Sequence, residues 1–266
     1  MSTANDRFDG RVALITGGAG GFGAAAARRL ASLGASVVVA DVADGGERVA
    51  EETGGVFVRC DVREPGDSQA AVSAAVERFG GLDIAFLNAG VATGCGVGDD
   101  FDLERYRRAM AVNVDGVVFG MHAALPALRA RGGGDIVVTA SLAGLTAVPF
   151  DPIYGANKHA VVGLVRAVGP MFAGDGIRIN AVCPGFADTP ILGAWREHLA
   201  ASEVPLLQAD DVADALVAVL ASGGTGECWF VQPGRPPGPF QFRGVPGPRP
   251  VEAGEGAPAP ASSGPS

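Results

Sequence analysis

Short runs of branched aliphatic residues alternate along this chain with longer Ala-rich or amphipathic stretches. Val12–Thr16 (VALIT), Ser36–Ala40 (SVVVA), Val56–Cys60, Leu82–Leu87, Asp135–Ala140 (DIVVTA), Ile177–Val182 (IRINAV) and Cys228–Val231 read as strands. Ala24–Leu33, Ser68–Phe79, Phe101–Arg131, Pro152–Phe172 and Asp210–Leu220 read as helices, with a kink predicted at Pro126. Strands that are apolar throughout are those buried on both faces. Strand–helix alternation predicts an α/β doubly wound parallel sheet with helices on either side. Ligands of such sheets bind beyond the carboxyl ends of the strands. Those ends here are Thr16, Asp41, Asp61, Asn88, Ser141 and Cys183-Pro184-Gly185, all but Cys183 polar or small.

The chain of 266 residues divides by composition into an N-terminal extension (1–10), one domain (11–234) and a tail (235–266). The tail's 32 residues hold 9 of the 18 prolines and 6 glycines, too little apolar surface to offset ordering entropy, so it is predicted to be disordered. Net charge is −9 and the tail contributes +1, leaving an acidic body with no basic stripe, which argues against nucleic acid and anionic membrane as partners. No unbroken apolar run reaches 18 residues, and Met1–Gly10 lacks a signal-peptide core. Cys60, Cys95, Cys183 and Cys228 lack CxxC spacing and do not cluster with the three histidines. Reduced thiols, no metal site and a cytoplasmic setting are the expectation.

After the first strand comes Thr16-Gly-Gly-Ala-Gly-Gly-Phe-Gly23, in which Gly17, Gly21 and Gly23 follow GxxxGxG. Glycines there let the backbone turn tightly and approach a pyrophosphate at the following helix N-terminus. Asp41 ends the second strand, where a carboxylate accepts adenosine ribose hydroxyls and repels a 2′-phosphate, favouring NAD over NADP. Its alternative role is to cap the next helix. Asp61 with Val62, and Asn88-Ala89-Gly90, lie along the same sheet edge and read as the adenine and ribose floor.

The chain contains a single lysine among twenty cationic residues, and two tyrosines. Lys158 lies four residues after Tyr154, on one helical face. An ammonium beside a phenol favours phenolate, so Tyr154 is expected to titrate below its free value of ~10 and to act as general acid/base.

Taken together, Thr16–Gly23, Asp61, Asn88-Ala-Gly90, Asn113, Ser141, Tyr154-xxx-Lys158 and Pro184-Gly185 with Thr189 resemble the motifs of the short-chain dehydrogenase/reductase family, from about Arg11 to Gly234. The resemblance implies a Rossmann-type fold and direct hydride transfer with an NAD cofactor. It makes Tyr154 the acid/base, with Ser141 bonding the substrate oxygen. Lys158 would hold the nicotinamide ribose, and Asn113 would hold a water that links Lys158 to solvent. Phe22 is implied at the cofactor, as are Thr189 on the carboxamide and Phe186 beside the Pro184-Gly185 turn. A homo-oligomer, dimer or tetramer, is also implied. Pro170, inside the helix after Lys158, departs from the family pattern and puts the usual tetramer in question.

By the same analogy, substrate contacts come from Leu142–Phe150, Val91–Thr93 and Ile191–Trp195. These segments are apolar and hold no Arg or Lys. They point to a small hydrophobic secondary alcohol or its ketone, with Ser141, Leu142, Phe150, Tyr154 and Trp195 as contacts. Two other classes stand beside this reading: a non-catalytic NAD(H)-binding sensor or scaffold on the same fold, and an interaction protein working through the Pro-rich tail. The intact Ser141–Tyr154–Lys158 set disfavours the first.

Overall fold

The computed structural model describes residues 8–189 and 204–247. Its sheet contains β1 (Val12–Thr16), β2 (Ser36–Asp41), β3 (Val56–Arg59), β4 (Ile84–Leu87), β5 (Gly134–Thr139), β6 (Ile177–Pro184), β7 (Cys228–Val231) and β8 (Gly238–Pro239). The order is 3-2-1-4-5-6-7-8; the first seven run parallel, and β8 pairs antiparallel with β7. The order reverses between β1 and β4, which opens a crevice at their carboxyl ends.

Strand residues alternate between two cores, as the two-residue period of a strand requires. Val12, Leu14, Val38 and Ala40 face one side; Ala13, Ile15, Val37 and Val39 face the other. The first side is covered by α3 (Pro65–Phe79), α5 (Gly116–Ala130) and α6 (Pro152–Phe172) through Val72, Met121 and Val161. The second is covered by α1 (Gly21–Ser32), α2 (Gly45–Thr53) and α7 (Ala209–Ser222) through Leu30, Val49 and Leu216. The doubly wound sheet predicted from the sequence is the fold observed.

Four local readings change. Helix α2 was not foreseen, because it opens on two glycines and buries only Gly46, Val49 and Ala50. The predicted long helix 101–131 is α4 (Leu103–Met110), a π-helical turn (Ala111–Asp115) and α5. The departure from α geometry falls at Asn113, whose side chain is pulled into the protein, and α5 runs through Pro126. By length and composition alone, 103–130 could cross a membrane, yet Val117, Met121, Ala124 and Leu128 pack it onto the sheet. Phe8, placed in the N-terminal extension, is buried under the Arg11 guanidinium and donates its N–H to Leu33 O.

The fourth change concerns the tail. Residues 235–247 are not free of the domain. β8 pairs with the outer edge of β7, Phe240 N donates to Cys228 O at 2.7 Å, and the Arg166 guanidinium sits 3.8 Å from the Phe242 ring centroid. Edge-strand pairing and a cation–π stack were invisible in a segment judged by its proline content. The rest of the tail lies outside the described residues. Pro170 is two residues from the end of α6, and the helix continues to Phe172, so only the bond to the Arg166 carbonyl is lost.

A chain ending at Gly247 is therefore expected to be more stable than one ending at Gly234 by about 1–3 kcal/mol, from strand pairing and the cover over Phe242. Urea unfolding of the two chains measures this, and coincident curves would remove residues 235–247 from the fold's support.

Candidate active site

The crevice is organised around Asn88, the first residue after β4. Its Nδ2 donates to Thr16 O (3.1 Å) and Gly17 O (3.3 Å), while its Oδ1 accepts from Thr139 Oγ1 (2.9 Å). Thr16 Oγ1 in turn accepts the Asn88 and Ala89 N–H groups. One side chain thus fixes the glycine turn to β4 and β5.

The turn itself needs its glycines. Gly17 and Gly21 have φ of +65° and +51°. A Cβ on Gly23 would lie 2.1 Å from Gly17 O, and one on Gly17 would lie 2.9 Å from Ala89 Cα. Gly20, Gly21 and Phe22, where α1 begins, line the crevice, with Phe22 half-buried and the Thr189 methyl opposite Gly21.

Asp41 caps no helix; the N-cap of α2 is Asp44. Its two oxygens accept Ala19 N and Ala43 N, each at 2.9 Å, which aims the carboxylate between the turn and the next loop with lone pairs to spare. Asp61 is held by Arg63 through both carboxylate oxygens, and that hydrogen bond keeps its pKa below the usual carboxylate value. Arg63 was missed in the sequence, although a cation two residues after Asp61 was a signal. Val62 is buried against Gly116 of α5, where a Cβ would come within 2.8 Å.

The reacting end is built by α6. Asp151 caps the helix, its Oδ1 accepting Tyr154 N at 3.0 Å, so the cap fixes the first turn that carries Tyr154. Lys158 lies one turn on. Its Nζ donates to Thr139 O at 2.8 Å and sits 5.6 Å from the Tyr154 ring centroid. Burial pulls the Lys158 ammonium down from 10.5 to about 8. The Tyr154 phenol is pushed by burial up to about 12, with a hydrogen bond to Ser141 acting in the opposite direction. The expected lowering of Tyr154 by Lys158 is absent, since the ammonium addresses Thr139 rather than the phenol and desolvation dominates.

Asn113 is fully buried. It exchanges hydrogen bonds with both Val91 N and O at 2.9 Å and donates to Asn157 Oδ1 at 3.2 Å. A Cβ on Gly90 would meet Asn113 Oδ1 at 3.4 Å and Lys158 Nζ at 3.7 Å, so these groups converge on Gly90.

Glycine turn, Asp41, Asp61, Asn88, Ser141, Tyr154 and Lys158 all open on one cavity of about 1090 Å³. Leu142, Phe150, Pro184, Gly185, Phe186 and Thr189 line it too. Trp195 lies outside the described residues. Thr139 was missed, though it ends β5 two residues before Ser141. Arg63, Arg108 of α4 and Asp151 also reach the wall, from outside the three segments expected to contact substrate; Asp151 is occupied by Tyr154 N and Gly94 N. Arg108 had no sequence signal beyond lying one turn before Val112.

A family model described as short chain dehydrogenase matches residues 11–200. The chain belongs to the short-chain dehydrogenase/reductase family. It is 40% identical over 199 residues to the cyclohexanol dehydrogenase of Acinetobacter sp. (strain SE19), covering 73% of this chain and 79% of that one. It is 36% identical over 228 residues to the cis-4-hydroxycyclohexanecarboxylate dehydrogenase of Sinomonas cyclohexanicum, covering 82% and 91%. The fold superposes on the 3-ketoacyl-(acyl-carrier-protein) reductase from Brucella melitensis complexed with NADH with a TM-score of 0.80, at 32% identity, over 86% of this chain and 99% of that one. As a short-chain dehydrogenase, the protein is an oxidoreductase acting on CH–OH groups with a nicotinamide cofactor.

Burial of Lys158 has a measurable consequence. Its folded-state pKa lies below its unfolded value, so between about pH 8 and 10.5 the unfolded chain binds more protons, and stability rises with pH through that window. Below pH 8 the full cost is present, roughly 3 kcal/mol at 1.36 kcal/mol per pKa unit. Without cofactor, Lys158→Met is expected to melt above the native chain at pH 7, with the gap narrowing toward pH 10. A gap independent of pH would contradict the assignment.

Proposed function

We propose that this dehydrogenase interconverts a small hydrophobic secondary alcohol, one carrying a ring, with its ketone, using NAD in preference to NADP. The observation that carries it is the chain's only lysine, buried on the Thr139 carbonyl one helical turn from Tyr154, at the end of a cavity that begins with the glycine turn. A buried ammonium with one acceptor among the described residues has two further N–H donors to place. Ribose hydroxyls fit that need, and their bonds would offset the desolvation that depresses its pKa.

The other groups fit the same cofactor. Gly17, Gly21 and Gly23 with Phe22 would hold the pyrophosphate, and Asp41 the adenosine ribose. Asp61, Val62, Asn88, Ala89 and Gly90 would form the floor, and Pro184, Gly185, Phe186 and Thr189 the nicotinamide wall. When bound, the nicotinamide supplies or accepts the hydride. Ser141 would hydrogen-bond the substrate oxygen. Tyr154 would move one proton between its phenol oxygen and that same atom. With its pKa raised, Tyr154 is protonated near neutrality and so is poised as the acid for ketone reduction; oxidation calls for the phenolate. Asn113 would hold the Val91 loop and the entry to Lys158. The ring is suggested by the two cyclohexane-ring relatives and by the apolar residues Leu142, Val148 and Phe150 in the lining. A cytoplasmic setting, suggested by four free buried cysteines, and a homo-oligomer complete the proposal.

Tyr154→Phe is expected to keep NADH affinity in a fluorescence titration and to lose turnover of cyclohexanol by 10²–10⁴-fold, the general acid/base range. Native-like turnover would remove Tyr154 from the reaction, and a native chain that binds NADH but oxidises no alcohol would favour a sensor. Asp41→Ala is expected to weaken NAD and relax discrimination against NADP. An unchanged NAD:NADP ratio of kcat/KM would exclude the ribose contact.

A further inference from the structure

Both backbone groups of Gly94, in the loop after β4, are taken by side chains from helix N-termini. Its N–H donates to Asp151 Oδ2 at 3.3 Å, and its carbonyl accepts from Arg105 Nη1 at 2.9 Å. Asp151 is the N-cap of α6. Arg105 belongs to the first turn of α4 and lies 3.5 Å from Asp102, the N-cap of that helix. Gly94 has φ of +64°, a conformation that a side chain would strain. Val91 and Ala92, just before it, line the cavity, and Asn113 holds Val91 N and O. Asp151 thus divides its two oxygens between two segments, Oδ1 on Tyr154 N at 3.0 Å and Oδ2 on the Gly94 loop. Among the described residues no cation forms an ion pair with it, so its charge stays on the cavity wall.

We infer that Asp151 is a positioning residue for the reaction: its carboxylate clasps the Gly94 loop to the turn of α6 that carries Tyr154, so that the wall beside the substrate and the group that moves its proton are held as one unit. The inference rests on the dehydrogenase reading above and adds the residue that keeps loop and acid/base group in register. A carboxylate suits this task and an amide does not. Asn caps a helix as well as Asp does. It has only one acceptor oxygen, however, and its NH2 would meet the Gly94 N–H donor against donor. Asp151→Asn therefore opens the clasp at Gly94 and leaves the cap on Tyr154. It also removes a negative charge near the phenol. Burial does most to raise the Tyr154 pKa, the Ser141 hydrogen bond opposes it, and the Asp151 charge adds to the rise. The other groups on the cavity are unchanged by the substitution: Lys158 on the same helix, Ser141 after β5, Arg108 of α4, and Asp41, Asp61 and Arg63 beside the glycine turn. Neutralising a carboxylate near a phenol favours phenolate, so the form needed for alcohol oxidation is reached at lower pH.

The test compares the native chain with Asp151→Asn and with Asp151→Ser, a shorter residue that still caps. In amide hydrogen exchange without cofactor, Gly94 N–H is expected to exchange about tenfold faster in both variants, while Tyr154 N–H keeps its native rate and reports an intact helix start. In cyclohexanol oxidation with NAD, kcat/KM is expected to fall about fivefold, chiefly through KM. The rising limb of the pH–rate profile is expected to move toward acid by about 0.5 unit. Native exchange at Gly94 in both variants would overturn the clasp, whatever the activity. Faster exchange with native kcat, KM and pH limb would mark a contact that holds the loop alone and would overturn the positioning role. A native chain that oxidises no secondary alcohol would overturn the dehydrogenase reading and the positioning role with it, and exchange at Gly94 would still decide the clasp.

Discussion

The site depends on a single carboxamide. Asn88 bonds the carbonyls of Thr16 and Gly17 on one side and the Thr139 hydroxyl on the other, and the Thr139 carbonyl then receives Lys158. The glycine turn, the ends of β4 and β5 and the turn of α6 that carries Lys158 are therefore links of one hydrogen-bonded chain. Asn88 is half-buried with both Nδ2 hydrogens and its Oδ1 engaged, so a shift at one link is felt at the next. This is why a cofactor cradle formed by residues near 20 can stay in register with an acid/base group near 154.

The same low-polarity surroundings determine the protonation states. Tyr154 and Lys158 are both driven toward their neutral forms by burial, the phenol upward and the ammonium downward. In the isolated domain the pair is thus not an ion pair in waiting. Lys158 is a desolvated donor with one hydrogen-bond acceptor, Thr139 O, among the described residues, and under the proposed function ligand hydroxyls would take its other N–H groups. Under the proposed function, binding and acid/base readiness would be coupled through that one ammonium, since what satisfies its remaining N–H groups also changes the field at the phenol.

Much of the site was legible along the chain, for a physical reason in each case. A glycine turn between a strand and a helix has few alternatives where any Cβ would meet neighbouring backbone within 3 Å, as one on Gly23 would meet Gly17 O. Tyr154 and Lys158 share a face because a helix repeats every 3.6 residues. Asp41 and Asp61 were found because parallel strands end at one edge. Other features escaped. The partnership of Arg63 with Asp61, the reach of Arg108 to the wall and the stacking of Phe242 under Arg166 depend on which side chains long-range packing brings together. The direction of the Tyr154 shift was misjudged because charge spacing is visible in a sequence and desolvation is not.

The sequence by itself determined the fold class, the order of the candidate groups along the sheet edge and the shared helical face of Tyr154 and Lys158. These are consequences of local period and of strand–helix alternation, which the chain carries residue by residue. Only the tertiary structure decided that Lys158 faces Thr139, that Asn113 sits in a π-helical turn gripping the Val91 loop, and that residues 238–242 close the sheet's edge. Each joins segments distant in sequence or sets the solvent around a group, and both are fixed only when the two cores close on the sheet.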